Sequence, residues 1–292
     1  MYRRLAANFT FLLVFACAGP LMAASIPDAD RERLSGILDS QPKDHKARQS
    51  SRNPVQTLAF FGITPGMTVV EVLPGGGWYS RVLSAYLGDD GTLIGADYPL
   101  DLWPAIGFGS EEFMKTRRAW PENWPQQGSE WQGDDGAHLI GQRIGSIDAQ
   151  YNGTVDAVLF IRALHHLNRT EDRGGFRSAA IADAWSALKP GGVVGVVQHM
   201  APPAWSEQWG DGSRGYMHRD AVIRHFENMG FELVAESDIN RNPRDKPGME
   251  DIVWRLPPTL RTSKDNPDLR ARYEAIGESN RMTLLFRKPE SS

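Results

Sequence analysis

Residues 68–88 restrict the possible folds more than any other stretch of the chain. Residues 68–73 (TVVEVL) are rich in β-branched side chains, which is typical of a strand buried on both faces. Gly75-Gly76-Gly77 interrupts this run, and apolar residues then recur at helical spacing until Gly88. Such a turn lets the backbone approach a ligand and directs the first amide groups of the helix towards it. The stretch therefore predicts a strand–turn–helix unit with a ligand at the turn.

Strands and helices alternate along most of the remaining chain. Asn53 and Asp220 are each expected to cap a helix, because their side chains can accept hydrogen bonds from the first amides of a helix. Residues 189–192 (KPGG) are expected to form the turn that ends another helix. Further strands are predicted at residues 92–96, 155–161, 193–198, 231–235 and 282–287. Strands separated by helices indicate an α/β fold with a parallel sheet and right-handed crossovers.

The first 24 residues predict a signal peptide. Arg3 and Arg4 form a positive start, an apolar run follows, and Ala23-Ala24 offers small residues for cleavage. The apolar run is shorter than the ~20 residues that a membrane helix needs, so no stable membrane span is expected. Cleavage would also remove Cys17, the only cysteine, which suits an oxidising compartment. We therefore expect a periplasmic or secreted protein.

Composition excludes several classes of protein. The 292 residues are 41 % hydrophobic and 23 % charged, as in globular proteins, which excludes disordered and fibrous chains. The net charge of −4 would become −6 without the two arginines of the signal peptide, and this argues against a nucleic-acid partner.

Residues 25–292 are expected to form a single domain with two irregular segments. Residues 98–150 contain four tryptophans among Pro and Gly, with one short helix near Glu111, and they predict either a lid over the site or a packing elaboration. The third strand of the sheet cannot be located there by pattern. Residues 240–280 are expected to be a long excursion before the last strand.

Acidic residues mark the ends of the first two predicted strands. Glu71 lies in the first strand, and Asp97 ends the second, where a carboxylate can accept hydrogen bonds from both hydroxyls of a ribose. Ligands of open parallel sheets bind at this edge. The alternatives are a turn without a ligand, a solvated acid, and a nicotinamide site, although a strict G-x-G-x-x-G motif would need Gly where Ser80 stands.

Three histidines are candidate bases near the same edge. His165 and His166 follow the fourth strand and His199 follows the fifth, and a histidine can accept a proton at neutral pH. The alternative is that the paired histidines cap the strand and bond to the backbone. No metal is expected, because the sequence has no HExxH motif, cysteine pair or EF-hand loop.

Several segments resemble the class I S-adenosylmethionine-dependent methyltransferases. They are Glu71-Val-Leu-Pro-Gly-Gly-Gly77 at the acid–glycine motif, Gly91-Thr-Leu-Ile-Gly-Ala-Asp97 at the second-strand acid, residues 155–161 with Leu164-His-His-Leu167, and Leu188-Lys-Pro-Gly-Gly192. Four others resemble an exported bacterial group of predicted methyltransferases, namely Pro74-Gly-Gly-Gly-Trp-Tyr79, Asn242-Pro243, Leu256-Pro-Pro-Thr-Leu-Arg261 and Gly277-Glu-Ser-Asn-Arg-Met-Thr-Leu284.

The resemblance implies a Rossmann-like sheet of seven strands with helices on both faces, and S-adenosylmethionine as the cofactor. It implies that Asp97 binds the ribose and that Glu71 faces the amino-acid end of the cofactor. The glycines Gly75, Gly76 and Gly77 would admit the ligand at close range. Trp78 or Tyr79 could place a ring against the sulfonium, or Tyr79 could belong to the core. The methyl acceptor is expected to be a small molecule, which the resemblance does not identify.

The chain departs from the family pattern at Leu73, where the family has its first motif glycine. Because a side chain with a Cβ resists positive φ, the turn is expected to tighten around Pro74 and Gly75. Two other functions stay open: an exported protein that binds an adenosyl ligand without turnover, and a nicotinamide-dependent oxidoreductase. A closing pair formed by the last two strands would favour the methyltransferase over the oxidoreductase.

Overall fold

The computed structural model describes residues 26–290. The predicted signal peptide, with Cys17, lies outside the described residues. None of the helices between residues 26 and 290 has the length and apolar character needed to cross a membrane.

A seven-stranded mixed sheet forms the centre of the described chain, in the order β3-β2-β1-β4-β5-β7-β6. The last strand along the chain, β7, runs antiparallel to both of its neighbours, and the other pairs are parallel. The strands are β1 (Thr68–Val72), β2 (Thr92–Asp97), β3 (His138–Arg143), β4 (Val155–Ile161), β5 (Leu188–His199), β6 (Glu232–Ser237) and β7 (Arg281–Arg287). This is the expected Rossmann-like methyltransferase sheet, and the predicted fold class is confirmed.

Helices cover both faces of the sheet. They are α1 (Asp28–Ser40), α2 (Lys43–Lys46), α3 (Gln49–Arg52), α4 (Pro54–Phe60), α5 (Trp78–Leu87), α6 (Leu102–Ala105), α7 (Glu111–Arg118), α8 (Trp120–Ser129), α9 (Leu164–Arg169), α10 (Glu171–Gly174), α11 (Phe176–Ala187), α12 (Arg219–Glu227) and α13 (Pro267–Ile276). Short 3₁₀ helices span Ala149–Tyr151, Val253–Arg255 and Arg261–Ser263.

The strand β1 separates two apolar layers because successive side chains of a strand point to opposite faces. Val70 and Val72 pack in the layer that contains α11 and α12, whereas Val69 packs in the layer of α1, α4 and α5. The strand is therefore buried on both faces, as its β-branched sequence predicts.

Three local predictions are wrong in detail. Asn53 precedes α4 but does not cap it, because its backbone is left-handed (φ 42°) and its side chain donates a hydrogen bond to the Ile239 carbonyl. Asp220 lies inside α12, which begins at Arg219 after His218. Residues 189–192 do not form a turn between helix and strand, since β5 already begins at Leu188.

Residues 98–150 contain the third strand, β3, with α6, α7 and α8 before it. A Cβ at Gly141 of β3 would lie 2.1 Å from the Pro121 carbonyl oxygen of α8, so glycine lets this helix lie directly on the edge strand. Gly95 of β2 likewise leaves space for the Trp124 ring, which would lie 2.8 Å from a Cβ at this position. The segment thus packs on the sheet through α8, while its α7 side chain Arg117 reaches Asp97 at the end of β2.

Residues 240–280 cross the edge of the sheet where β4 and β5 end. A buried ion pair anchors this segment: Asp245 accepts a hydrogen bond from Arg255 (2.8 Å) and another from the Tyr216 hydroxyl (3.1 Å). The segment contributes Trp254, Glu278 and Ser279 to the surroundings of the candidate site.

Candidate functional site

The turn after β1 has three left-handed residues. Leu73, Gly75 and Gly77 have φ values of 54°, 58° and 74°. The expectation that Leu73 avoids positive φ is therefore wrong: leucine adopts the backbone conformation that a glycine would adopt freely. A residue with a Cβ pays about 1–2 kcal/mol for this conformation, so the surrounding structure holds Leu73 in a strained position.

Glu71 lies below this turn as a buried carboxyl group. Its side chain is 4 % exposed, and its Oε2 accepts a hydrogen bond of 2.6 Å from the Ser80 hydroxyl of α5. Burial raises the pKa of Glu71 to about 7, against the opposing effects of that hydrogen bond and of Arg52. Near neutral pH the group is therefore poised between its neutral and charged forms.

The turn opens into a cavity of about 300 Å³, which we name the turn cavity. Gly75 and Gly76 line it together with Glu71, Leu73 and the aromatic pair that begins α5. Gly77 does not line this cavity; it borders another opening of about 440 Å³, which it shares with Gly75 and Gly76. The structure thus brings Glu71 and two of the three predicted glycines to one cavity.

The aromatic pair Trp78 and Tyr79 is held by Arg52. The Arg52 guanidinium lies 4.4 Å from the centre of the Trp78 ring, and the Tyr79 hydroxyl donates a hydrogen bond of 3.3 Å to the Arg52 carbonyl. Trp78 therefore already has a cation on its face. Tyr79 is 5 % exposed and packs in the core layer of α5 while it borders the cavity.

Asp97 ends β2 as predicted but does not line the turn cavity. Its carboxylate is 1 % exposed, and Arg117 and Arg143 lie 3.5 and 3.7 Å from its Oδ2. Neither carboxylate oxygen makes a hydrogen bond of good geometry, although the Tyr98 backbone N–H and the Trp103 indole N–H lie close enough to lower its pKa. Burial raises the pKa of Asp97 to about 6, although the two arginines oppose this. The two acceptor oxygens fit a ribose diol, but side chains of α6, α7 and β3 cover them.

The three predicted histidines come together in a second cavity of about 170 Å³, which we name the histidine cavity. The ring centres of His165 and His166 are 4.1 Å apart, and those of His165 and His199 are 5.4 Å apart. Trp254 stacks on His166 with ring centres 5.7 Å apart. The start of α9, which carries His165 and His166, and the last residue of β5, His199, therefore bring the three imidazoles to one place.

Hydrogen bonds assign the tautomer of His165. Gln198 donates its side-chain N–H to the Gly215 carbonyl (3.0 Å), which leaves its Oε1 facing His165 Nδ1 at 3.4 Å. We therefore assign the proton to Nδ1, and Nε2 carries the lone pair that can accept a proton. Burial lowers the pKa of His165 to about 3, so the ring is neutral at pH 7.

His199 and His166 are also neutral. Burial lowers the pKa of both rings, and the neighbouring His165 lowers it further. His199 Nδ1 lies 2.5 Å from the Ser279 hydroxyl oxygen, so this ring has a fixed partner. Within residues 26–290 no group of three or more His, Cys, Asp or Glu side chains is arranged to hold a metal ion.

Arg52 and Glu278 border the site but were not predicted from the sequence. Arg48 immediately precedes the four-residue helix α3 and Arg52 ends it, and this spacing of four residues is a weak signal. Glu278 and Ser279 lie within the segment Gly277–Leu284 that carries part of the family resemblance, but nothing in that segment indicates that they meet the histidines.

No family model matches the sequence, and no curated protein matches it. Solved structures are similar to the chain over most of its length. A SAM-dependent methyltransferase from Aquifex aeolicus is 14 % identical over 87 % of this chain and 98 % of that one, with a TM-score of 0.49. A geranyl diphosphate methyltransferase in complex with SAM is 14 % identical over 91 % and 96 %, with a TM-score of 0.47.

A third similar structure is an arsenic(III) S-adenosylmethionine methyltransferase from Chlamydomonas reinhardtii. It is 13 % identical over 88 % of this chain and 73 % of that one, with a TM-score of 0.46. All three structures are methyltransferases that use or bind S-adenosylmethionine. The fold itself follows from the strand order, and similarities at this level carry no information about the ligand of this chain.

Proposed function

We propose that the protein is an S-adenosylmethionine-dependent methyltransferase that acts on a small-molecule acceptor. The observation that carries the proposal is the turn after β1, where Leu73, Gly75 and Gly77 keep a left-handed backbone above the buried carboxyl group of Glu71. At the end of the neighbouring strand, Asp97 has a buried carboxylate with only long contacts to Arg117 and Arg143. An acid below the turn and a second acid one strand away suit the two ends of an adenosyl amino acid.

Each of these residues has a proposed part in holding the cofactor. Asp97 accepts hydrogen bonds from the ribose hydroxyls, which requires the side chain of Arg117 or Trp103 to move aside. Glu71 faces the amino-acid end, where its charged form favours the ammonium group. Gly75, Gly76 and Gly77 leave room for the ligand at the backbone. When bound, the cofactor supplies a methyl carbon that is already activated for displacement.

The remaining chemistry is positioning, exclusion of water and proton acceptance. We assign the acceptor to the histidine cavity, which shares Leu73 and Arg162 with the turn cavity. His165 Nε2, whose lone pair is free at neutral pH, is the proposed hydrogen-bond acceptor for a hydroxyl of the methyl acceptor. Because its pKa is about 3, it takes the proton only as methyl transfer makes that hydroxyl strongly acidic. His199 and His166 shape the same cavity as neutral rings.

Two alternative functions were left open by the sequence, a nicotinamide-dependent oxidoreductase and a binding protein without turnover. The antiparallel strand β7 lies between β5 and β6, a closing pair that the usual half-domain of a nicotinamide dehydrogenase lacks. Predicted export is the motive for the second alternative, an exported protein that binds an adenosyl ligand without turnover, since an exported enzyme needs a source of S-adenosylmethionine outside the cytosol. Export to the periplasm or the medium belongs to this proposal and rests on residues 1–24 alone.

Photolabelling tests the proposed cofactor site. Ultraviolet irradiation of the full chain with methyl-tritiated S-adenosylmethionine is expected to label the tryptic peptide of residues 53–81, which contains Glu71, the glycines and Trp78. Excess unlabelled S-adenosylhomocysteine should abolish the label, whereas excess NAD should not. Label confined to other peptides, or removed by NAD alone, would overturn the proposal.

A further inference from the structure

Four arginines surround one carboxylate where the turn cavity and the histidine cavity meet. Glu278 Oε1 accepts two hydrogen bonds from Arg48 (2.9 and 2.7 Å), and Oε2 accepts one from Arg281 (3.1 Å). Burial opposes the charged form, but the surrounding arginines hold the pKa of Glu278 at about 2. The carboxylate is therefore ionised, and two of the four guanidiniums already use it.

Arg52 is left without a full partner. Its side chain is 3 % exposed, its Nε lies 3.6 Å from Glu278 Oε1, and neither Nε nor Nη2 makes a hydrogen bond. Its guanidinium carbon lies over the Trp78 ring, 4.4 Å from the ring centre, at the wall of the turn cavity. Burial and the nearby charge of Arg162 lower the pKa of Arg52 to about 9. A buried cation with unmade hydrogen bonds is costly unless something binds to it.

Arg162 is the second surplus guanidinium. It follows β4 with a left-handed backbone (φ 59°). Its ion contact with Glu278 is long, with 3.9 Å between Arg162 Nη1 and Glu278 Oε2. Burial lowers the pKa of Arg162 to about 10, while Glu278 opposes this. Because Arg162 lines both cavities, its charge lies on the boundary between them.

The other acids near this pair do not remove the surplus. Asp44 lies at the exposed side of the turn cavity, and Glu71 is the buried acid across it. Burial raises the pKa of Glu71 to about 7, so its charge does not fully offset the two arginines near neutral pH. Arg52 and Arg162 therefore face the cavity with unmade hydrogen bonds or long ion contacts.

We propose that the methyl acceptor is an anion, and that its carboxylate or phosphate group binds between Arg52 and Arg162 while the rest of the molecule extends into the histidine cavity. Guanidinium groups match the geometry of both kinds of oxyanion. The anion would relieve the mutual repulsion of the two arginines. The identification of the anion as the methyl acceptor rests on the proposed methyltransferase function, whereas the anion site itself does not depend on that function.

Calorimetric titration of the full chain with inorganic phosphate and, separately, with acetate tests the site at constant ionic strength. We expect one of the two anions to bind, and Arg162→Gln to weaken its binding at least tenfold. Arg52→Gln should also weaken anion binding at least tenfold. In the absence of the anion, its melting temperature should be no lower than that of the parent, because the substitution removes a surplus buried charge. Arg224→Gln is the matched control, since Arg224 is exposed and pairs with Glu207.

A second titration, with S-adenosylhomocysteine in the presence of the saturating anion, separates the two proposals. We expect less than a threefold change in its affinity. Mutual displacement would assign the arginines to the cofactor carboxylate and overturn the acceptor proposal. Absence of anion binding, or equal binding by Arg162→Gln, would overturn the site. Anion binding without any binding of S-adenosylhomocysteine would leave the anion site standing and remove the methyltransferase function.

Discussion

Leu73 and Arg162 follow the adjacent parallel strands β1 and β4, and both have a left-handed backbone, with φ values of 54° and 59°. Both side chains line the turn cavity and the histidine cavity. The wall between the proposed cofactor and acceptor sites is therefore built from two strained residues. Strain of this kind persists only where the surrounding structure holds it, and it is concentrated at functional sites.

The strain at Leu73 predicts an unusual order of stability. Leu73→Gly and Leu73→Ala both remove the side chain, but only alanine keeps a Cβ in the left-handed conformation. We expect Leu73→Gly to be more stable than Leu73→Ala by about 1 kcal/mol in urea unfolding. The same pair at Ile140 in β3 is the control, where alanine should be the more stable by about 0.5–1 kcal/mol. A less stable Leu73→Gly would contradict the strain.

The raised pKa of Glu71 predicts that the folded chain loses stability as the pH rises. Its pKa is about 7 in the folded chain against an ordinary value of 4.5, so the folded state binds the proton more tightly. This contribution is complete below pH 4.5 and is lost as the pH rises through 7. Glu71→Gln, which keeps an acceptor for Ser80, should therefore gain about 3 kcal/mol relative to the parent between pH 4 and pH 8.

Chemical denaturation across that pH range measures the difference between Glu71→Gln and the parent. Glu232→Gln, on the exposed side of β6, controls for the loss of one negative charge. A difference between Glu71→Gln and the parent that stays constant from pH 4 to pH 8 would show that Glu71 is not held in its neutral form by burial.

His165 predicts the opposite dependence on pH. Its folded pKa of about 3 lies below the ordinary value of 6.5, so the unfolded chain binds the proton first as the pH falls. The stability contributed by the neutral ring is complete above pH 6.5 and is lost towards pH 3. His165→Gln should therefore gain about 2 kcal/mol on the parent between pH 7 and pH 5. An unchanged difference in the free energy of unfolding would contradict the buried neutral ring.

Asp97→Ala is expected to weaken the binding of S-adenosylhomocysteine by about 1–3 kcal/mol, which is about 5- to 150-fold. The reason is the loss of a buried carboxylate whose contacts with Arg117 and Arg143 are long, at 3.5 and 3.7 Å. Asp101→Ala, in the exposed loop after β2, is the control. Equal affinity of Asp97→Ala and the parent in calorimetry would remove Asp97 from the cofactor site and leave it as the counter-charge of Arg117 and Arg143.

The sheet could be predicted from the sequence where its strands are buried on both faces. In β1 and β4 the β-branched and apolar runs coincide with the observed strands to within one residue. The edge strand β3 could not be located, because its sequence HLIGQR is mostly half-exposed and contains a glycine that serves contact with α8. A strand at the edge needs only one buried face, and its pattern is correspondingly weak.

The candidate site was predicted where one segment defines it and missed where distant segments meet. Glu71 and the glycine turn belong to a single strand–turn–helix unit, so their proximity follows from local sequence. The pairing of Arg52 with Arg162 depends on α3 meeting the end of β4, and no local pattern reports that contact. The contact of Arg117 with Asp97 could not be predicted for the same reason, since Arg117 belongs to α7 and lies 20 residues later in the chain.

Calorimetric titration of the parent protein with S-adenosylhomocysteine, run beside the same titration with NAD, tests the central claim most directly. The account predicts saturable binding of S-adenosylhomocysteine at one site per chain and no heat of binding with NAD. Binding of NAD alone, or of neither ligand, would contradict an adenosyl–sulfur ligand at the turn after β1.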